Sequence, residues 1–165
     1  MEYYLVRCVK NDGEFFCIWC SGEKDVFFCN EHSKMISFGN SISAHQFLSK
    51  HHLSLEDASV PTYDFDNLEK WILKGETIDN CGELLNFWNM FSDAALSAGY
   101  AFMGDQNTNA LNEIYDELFY GCNILTPDNE DPYSPYWEKE QLHLAKNVLQ
   151  DGMTGFFMNV ESSMA

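Results

Sequence analysis

Glu2-Tyr-Tyr-Leu-Val-Arg-Cys-Val9, then Asn11-Asp12-Gly13, then Glu14-Phe-Phe-Cys-Ile-Trp-Cys20: two runs rich in aromatic and β-branched residues flank a turn tripeptide. Such side chains fit a pleated surface. Asn, Asp and Gly tolerate the positive φ that tight hairpin turns require. The stretch predicts a β-hairpin. Ser21-Gly22-Glu23-Lys24-Asp25 predicts a second turn, Val26 to Cys29 a third strand and Met35 to Phe38 a short fourth. Residues 1–39 therefore read as an antiparallel meander.

Beyond Gly39-Asn40 the period changes from two to about 3.6. Ser43 is placed to cap a short helix from Ala44 to about His51, and Ser59-Val60-Pro61-Thr62 reads as a connector. Asp64 or Asp66 can cap a helix carrying Leu68, Trp71 and Ile72. Asp79 or Asn80 opens the next, whose Leu84, Leu85, Trp88, Phe91, Ala95 and Leu96 form one wide apolar stripe. Leu111, Ile114, Tyr115, Leu118 and Phe119 repeat the pattern, with Gly121 where a left-handed cap residue belongs. A last helix runs from Trp137 to about Phe157, and Ser162 to Ala165 reads as a frayed tail. The expected class is α+β, with a small N-terminal antiparallel sheet followed by a bundle of four to five helices packed on it. At 165 residues the chain reads as one domain, 1–165, of which 40–161 is mainly helical.

The charge is large and unevenly placed. The net charge is −17, and from Gly75 to Glu138 there are twelve acids with no lysine or arginine. Such a surface repels nucleic acid and anionic lipid and attracts basic proteins. The expectation is therefore a basic protein partner, with no direct nucleic-acid or membrane binding. The start of the chain lacks a basic segment followed by an apolar one, so a cytoplasmic location is expected. The six cysteines are then expected to be reduced.

Cys17-x-x-Cys20 with Cys29-x-x-His32 is the sharpest metal-like pattern, and four such ligands could hold a tetrahedral zinc. Against it, Cys17 and Cys20 lie in a run that reads as strand, where positions three apart face opposite sides. None of the five histidines stands in a catalytic motif, and Gly99 to Gly104 lacks the lysine and hydroxyl of a phosphate loop. No enzymatic activity and no cofactor are expected. Two other features suit partner binding. One is the polar face of the helix near residue 115, with Glu113, Asp116 and Glu117. The other is the Pro-rich stretch Thr126 to Trp137, with Asp128, Glu130, Asp131, Tyr133, Tyr136 and Trp137. Tyr and Trp are favoured interface anchors, and carboxylates steer a basic partner.

Four segments carry a family resemblance. They are Tyr63-Asp64-Phe65-Asp66 with Trp71; Leu84-Leu85-Asn86-Phe87-Trp88-Asn89 with Asp93; Ile114 to Asn123; and Thr126-Pro127 followed by Tyr133, Pro135 and Trp137. In this order, over roughly residues 60 to 160, the chain resembles small bacterial immunity proteins of contact-dependent growth inhibition and Rhs-type toxin systems. The resemblance implies a non-enzymatic inhibitor that binds one cognate toxin domain in the cytoplasm, the toxin often being a basic nuclease. Glu117 stands where relatives carry lysine. Two alternatives stay open: a small zinc-binding domain built on Cys17, Cys20, Cys29 and His32, and an acidic nucleic-acid mimic directed at a DNA-binding protein.

Overall fold

The computed structural model describes residues 1–163. Strands β1 (Glu2–Lys10) and β2 (Gly13–Ser21) form the expected hairpin, paired from Glu2↔Ser21 to Lys10↔Gly13. Asn11 and Asp12 take φ of 54° and 60°, the conformation of a two-residue turn matched to sheet twist. The amides of Asp12 and Asn11 donate to the Asp66 carboxylate at 3.0 and 2.8 Å. These bonds hold the acid below its ordinary pKa and tie the hairpin tip to the helical layer.

β3 (Val26–Phe27) and β4 (Met35–Phe38) pair antiparallel with successive parts of β2. From there the sheet departs from a pure meander. β5 (Thr62–Asp64) adds parallel to β1, and β6 (Val160–Ser162) adds parallel to β4. The result is a mixed six-stranded sheet of order β5-β1-β2-β4-β6, with β3 beside β2. Thr62, expected in a connector, and Ser162, expected in a frayed tail, are both strand residues. The bare outer edges of β1 and β4 are open hydrogen-bonding templates, and these short segments fill them. Met164 and Ala165 of the expected tail lie outside the described residues.

Alternation along the hairpin feeds two cores. Val6, Cys8 and Cys17 enter the larger one, while Leu5, Phe16, Ile18 and Cys20 enter a smaller one under α1 (Ser41–Lys50), where Ala44 and Leu48 complete it. Asn40 rather than Ser43 caps α1: Ser43 donates its amide to Asn40 Oδ1 at 2.8 Å. Asn is at least as good a cap as Ser, so the helix begins earlier than expected.

On the other face lie α2 (Phe65–Lys74), α3 (Cys81–Ala98), α4 (Asn109–Gly121) and α5 (Lys139–Met158). The protein is α+β, a sheet packed against a helical bundle, with α1 on the reverse face. Asp64, Asn80 and Thr108 accept the first-turn amides of α2, α3 and α4. Glu138 and Gln141 form a reciprocal capping box at α5.

Helix α3 is the axis of the bundle, packed on α4 and α5. Phe65, Phe87, Phe91, Phe156 and Phe157 interlock around it with ring centroids 4.8 to 6.3 Å apart. Phe65, Phe87, Phe91 and Phe156 are buried and contribute about 1.5–3 kcal/mol each, while Phe157 is partly buried against them. Gly152 of α5 makes the close approach, since a Cβ there would lie 2.1 Å from the Phe91 ring. Gly121 is not the left-handed residue at the end of α4; Asn123 is, at φ 56°. Gly121 instead lets α4 meet the start of α3, where a Cβ would lie 2.4 Å from Cys81 Sγ. No helix among the described residues is long and apolar enough to cross a membrane.

Candidate interaction surface

Leu111, Ile114 and Leu118 bury one side of α4. The opposite side carries Glu113 and Asp116, both exposed, and half-buried Glu117. Spacings of three and four put these acids on neighbouring positions of one face. The helix gives way to a loop closed by Asn123. The Asn123 side chain accepts from the Tyr133 amide at 2.6 Å and donates to the Tyr133 carbonyl at 3.0 Å. The Thr126 hydroxyl donates to the same amide oxygen at 2.9 Å. Asn suits this post because it tolerates the left-handed region while its side chain still bonds the backbone.

The closure returns Tyr133 to α4, where its hydroxyl donates to Glu117 Oε2 at 2.7 Å. That bond, with the Glu117 charge, raises the phenol's pKa. The two sequence-predicted groups, Glu117 on the helix and Tyr133 in the loop, thus meet in space. Asp128, Glu130 and Asp131 are exposed, and among the described residues no basic side chain pairs with them. Tyr136 is 84% exposed. Trp137 differs: it is half-buried against the main core, and its indole N–H is enclosed without a partner among the described residues. It anchors the loop rather than presenting it. Sequence reasoning missed Ile124 and Leu125, which are 70% and 75% exposed. Two adjacent apolar residues in a polar loop after the helix were the available signal.

A second feature lies along α3. Its polar positions Asn86, Asn89 and Asp93 are spaced by three and four on one helix face. They border an open cleft of about 490 Å³ against the sheet, walled by Trp19, Tyr63 and Asp25. A cleft of about 520 Å³ shares Asn89 and reaches Asp105 and Asp116. Another, of about 400 Å³, shares Asn86 and Tyr63 and reaches Glu83. The three make one trough with acids in every section and no lysine or arginine in its lining. The depression of about 360 Å³ between α2 and α3, by contrast, carries Lys70 and Lys74. Tyr115 donates its hydroxyl to Asn89 Oδ1 at 2.8 Å, tying α4 to the rim of the trough.

Asp93 is the deepest acid. Burial pushes its pKa up to about 6; the Trp19 hydrogen bond opposes that rise, and the Asp25 and Asp105 charges add to it. Trp19 Nε1 donates to Asp93 Oδ2 at 3.3 Å, a long bond for a carboxylate acceptor.

The zinc pattern does not assemble. Cys17 faces the helical layer and Cys20 faces α1, as strand alternation requires. Cys29 is half-buried beside Phe27 and Ser97, and His32 is exposed next to Glu31. Among the described residues no three metal-binding side chains converge. Burial also raises the thiol pKa values of Cys8 and Cys29, and that of Cys20 to about 11. These are core thiols, not poised thiolates.

No protein-family model matches the chain, and no curated protein does. Among solved structures it is similar to the SatS C-terminal domain, solved in complex with bromine. That likeness covers 98% of this chain and 94% of the other, at a TM-score of 0.58 and 10% identity. At that identity it speaks to the fold alone.

Proposed function

We propose that the protein is a non-enzymatic, cytoplasmic immunity protein that binds and neutralises a basic toxin domain, a nuclease being the best fit. The surface would be α4 with the loop after it. The observation that carries this reading is the Tyr133–Glu117 closure. It presents exposed aromatic and apolar side chains among carboxylates that lack a cation partner among the described residues, on a chain of net charge −17. Exposed aromatics supply anchors, and the acids supply steering and discrimination against acidic partners. The resemblance over residues 60 to 160 supports the same class of partner.

The test is binding to the product of the gene immediately upstream, which this reading expects to carry the toxin domain. Reversing Asp128, Glu130 and Asp131 together to lysine is expected to slow association by on the order of tenfold or more at low salt. Tyr136→Ala is expected to weaken affinity by about tenfold or more. Binding that ignores both ionic strength and these substitutions would remove the surface from the proposal. Binding of an unrelated DNA-binding protein in place of the upstream product would favour a nucleic-acid mimic.

A further inference from the structure

We propose that the cleft between β2 and α3 seats an arginine side chain presented by the basic partner, with Trp19 and Tyr63 as its walls and Asp93 as its counter-ion. This rests on the reading of the partner as a basic protein, and it concerns a surface other than the α4 loop.

The cleft is more than a group of acids. Three aromatic side chains, Trp19, Phe27 and Tyr63, line it, and its volume of about 490 Å³ is ample for a single long side chain. Trp19 Nε1 reaches Asp93 Oδ2 only at 3.3 Å, and no side chain among the described residues donates to Asp93 Oδ1. Asn86 and Asn89 line the same space and add polar groups to its rim. The whole lining lacks a cation. A half-buried carboxylate so poorly partnered is costly while it stays unpaired, and a planar donor entering the cleft would relieve it.

Arginine fits this space better than other cations. Its guanidinium is flat, weakly hydrated and stacks on aromatic faces, while it donates two parallel bonds to one carboxylate. A lysine ammonium is a strongly hydrated point charge and gains less from such walls. Calcium needs six to eight oxygen ligands, and no three metal-capable side chains converge among the described residues. The groups that face Asp93 are Trp19 from β2, Asp25 from the β2–β3 turn, Tyr63 from β5 and Asp105 from the turn after α3. The acids among them favour a cation, and none supplies a competing positive charge.

The test follows the Trp19 indole N–H by NMR during titration with an acetylated, amidated Gly-Arg-Gly peptide, alongside its lysine and citrulline counterparts. The arginine peptide is expected to give a saturable shift at pH 7.5. The lysine peptide should bind several-fold more weakly, and the citrulline peptide, neutral but of the same shape, should not bind. Asp93→Asn should weaken the arginine peptide by about tenfold, as should lowering the pH to 5, where Asp93 with a pKa of about 6 is largely protonated. No saturable shift, an equal shift with citrulline, or equal affinity in Asp93→Asn would overturn the proposal. With the upstream toxin domain, Asp93→Asn should also cost about tenfold in affinity. A toxin domain that binds both forms equally overturns the arginine seat while the α4 surface stands. An arginine peptide that binds where no toxin domain does sinks the partner reading instead.

Discussion

At the scale of single residues, Asp93 and Gly152 act with opposite sign. Asp93 has a folded pKa of about 6, above its ordinary value near 3.9. The folded state therefore takes up a proton more readily than the unfolded chain. Stability from this group is fully present below about pH 4 and is lost as pH rises through about 6. The ionised carboxylate is thus a burden at neutral pH. Because the side chain is partly open to solvent, screening reduces that burden to about 1 kcal/mol. Asp93→Asn keeps an oxygen for the Trp19 indole and is expected to raise the melting temperature by about 2–4 °C at pH 7.5, with the gain gone at pH 4. Thermal melts at the two pH values check both halves of that statement. Gly152→Ala moves the other way. A Cβ placed 2.1 Å from the Phe91 ring forces α5 off α3, and urea unfolding should show a loss of about 1–3 kcal/mol.

At the scale of elements, the loop after α4 hangs on one amide side chain. Asn123→Ala removes the bonds to Tyr133 and Thr126 and puts alanine at a positive φ. Limited proteolysis should then cut between residues 124 and 136 several-fold faster, while the far-UV circular dichroism stays native. Ending the chain at Asn159 removes β6 and its pairing with β4. It is expected to cost about 2–3 kcal/mol at roughly 1 kcal/mol per lost backbone bond, again read by urea unfolding. The hairpin, the helix order and most caps were legible in the sequence, because alternation and capping are local signals. β5 and β6 were not: each is three residues long, too short to show a period, and exists because a distant edge needs a partner. The candidate site divides the same way. The acids of α4 stood out by spacing, and Glu117 and Tyr133 were already chosen. The trough along α3 was invisible, because Trp19, Tyr63 and Asp93 come from three separate segments. The packing of Trp137 against the core was not legible, because aromatic type alone does not distinguish a side chain facing outward from one facing inward.

At the scale of the whole molecule, charge and topology set the terms. A net charge of −17 repels itself in the compact state. Adding salt, from about 0.01 to 0.5 M, shortens the screening length severalfold and is expected to stabilise the protein by about 1 kcal/mol, or about 2–4 °C in melting temperature. The same salt should slow capture of a basic partner. Differential scanning fluorimetry and stopped-flow association, run on one salt series, should therefore move in opposite directions. The parallel strand β6 lies beyond every other described element in the chain and fills the edge of β4. A polypeptide emerging from the ribosome cannot complete its sheet until residues 160–162 are free. A nascent chain stalled before that point holds β4 with its outer edge bare, a template along which a sibling chain on the same messenger can pair. Emergence of residues 160–162, rather than growth of the last helix, is the step that closes this edge to other copies of the chain.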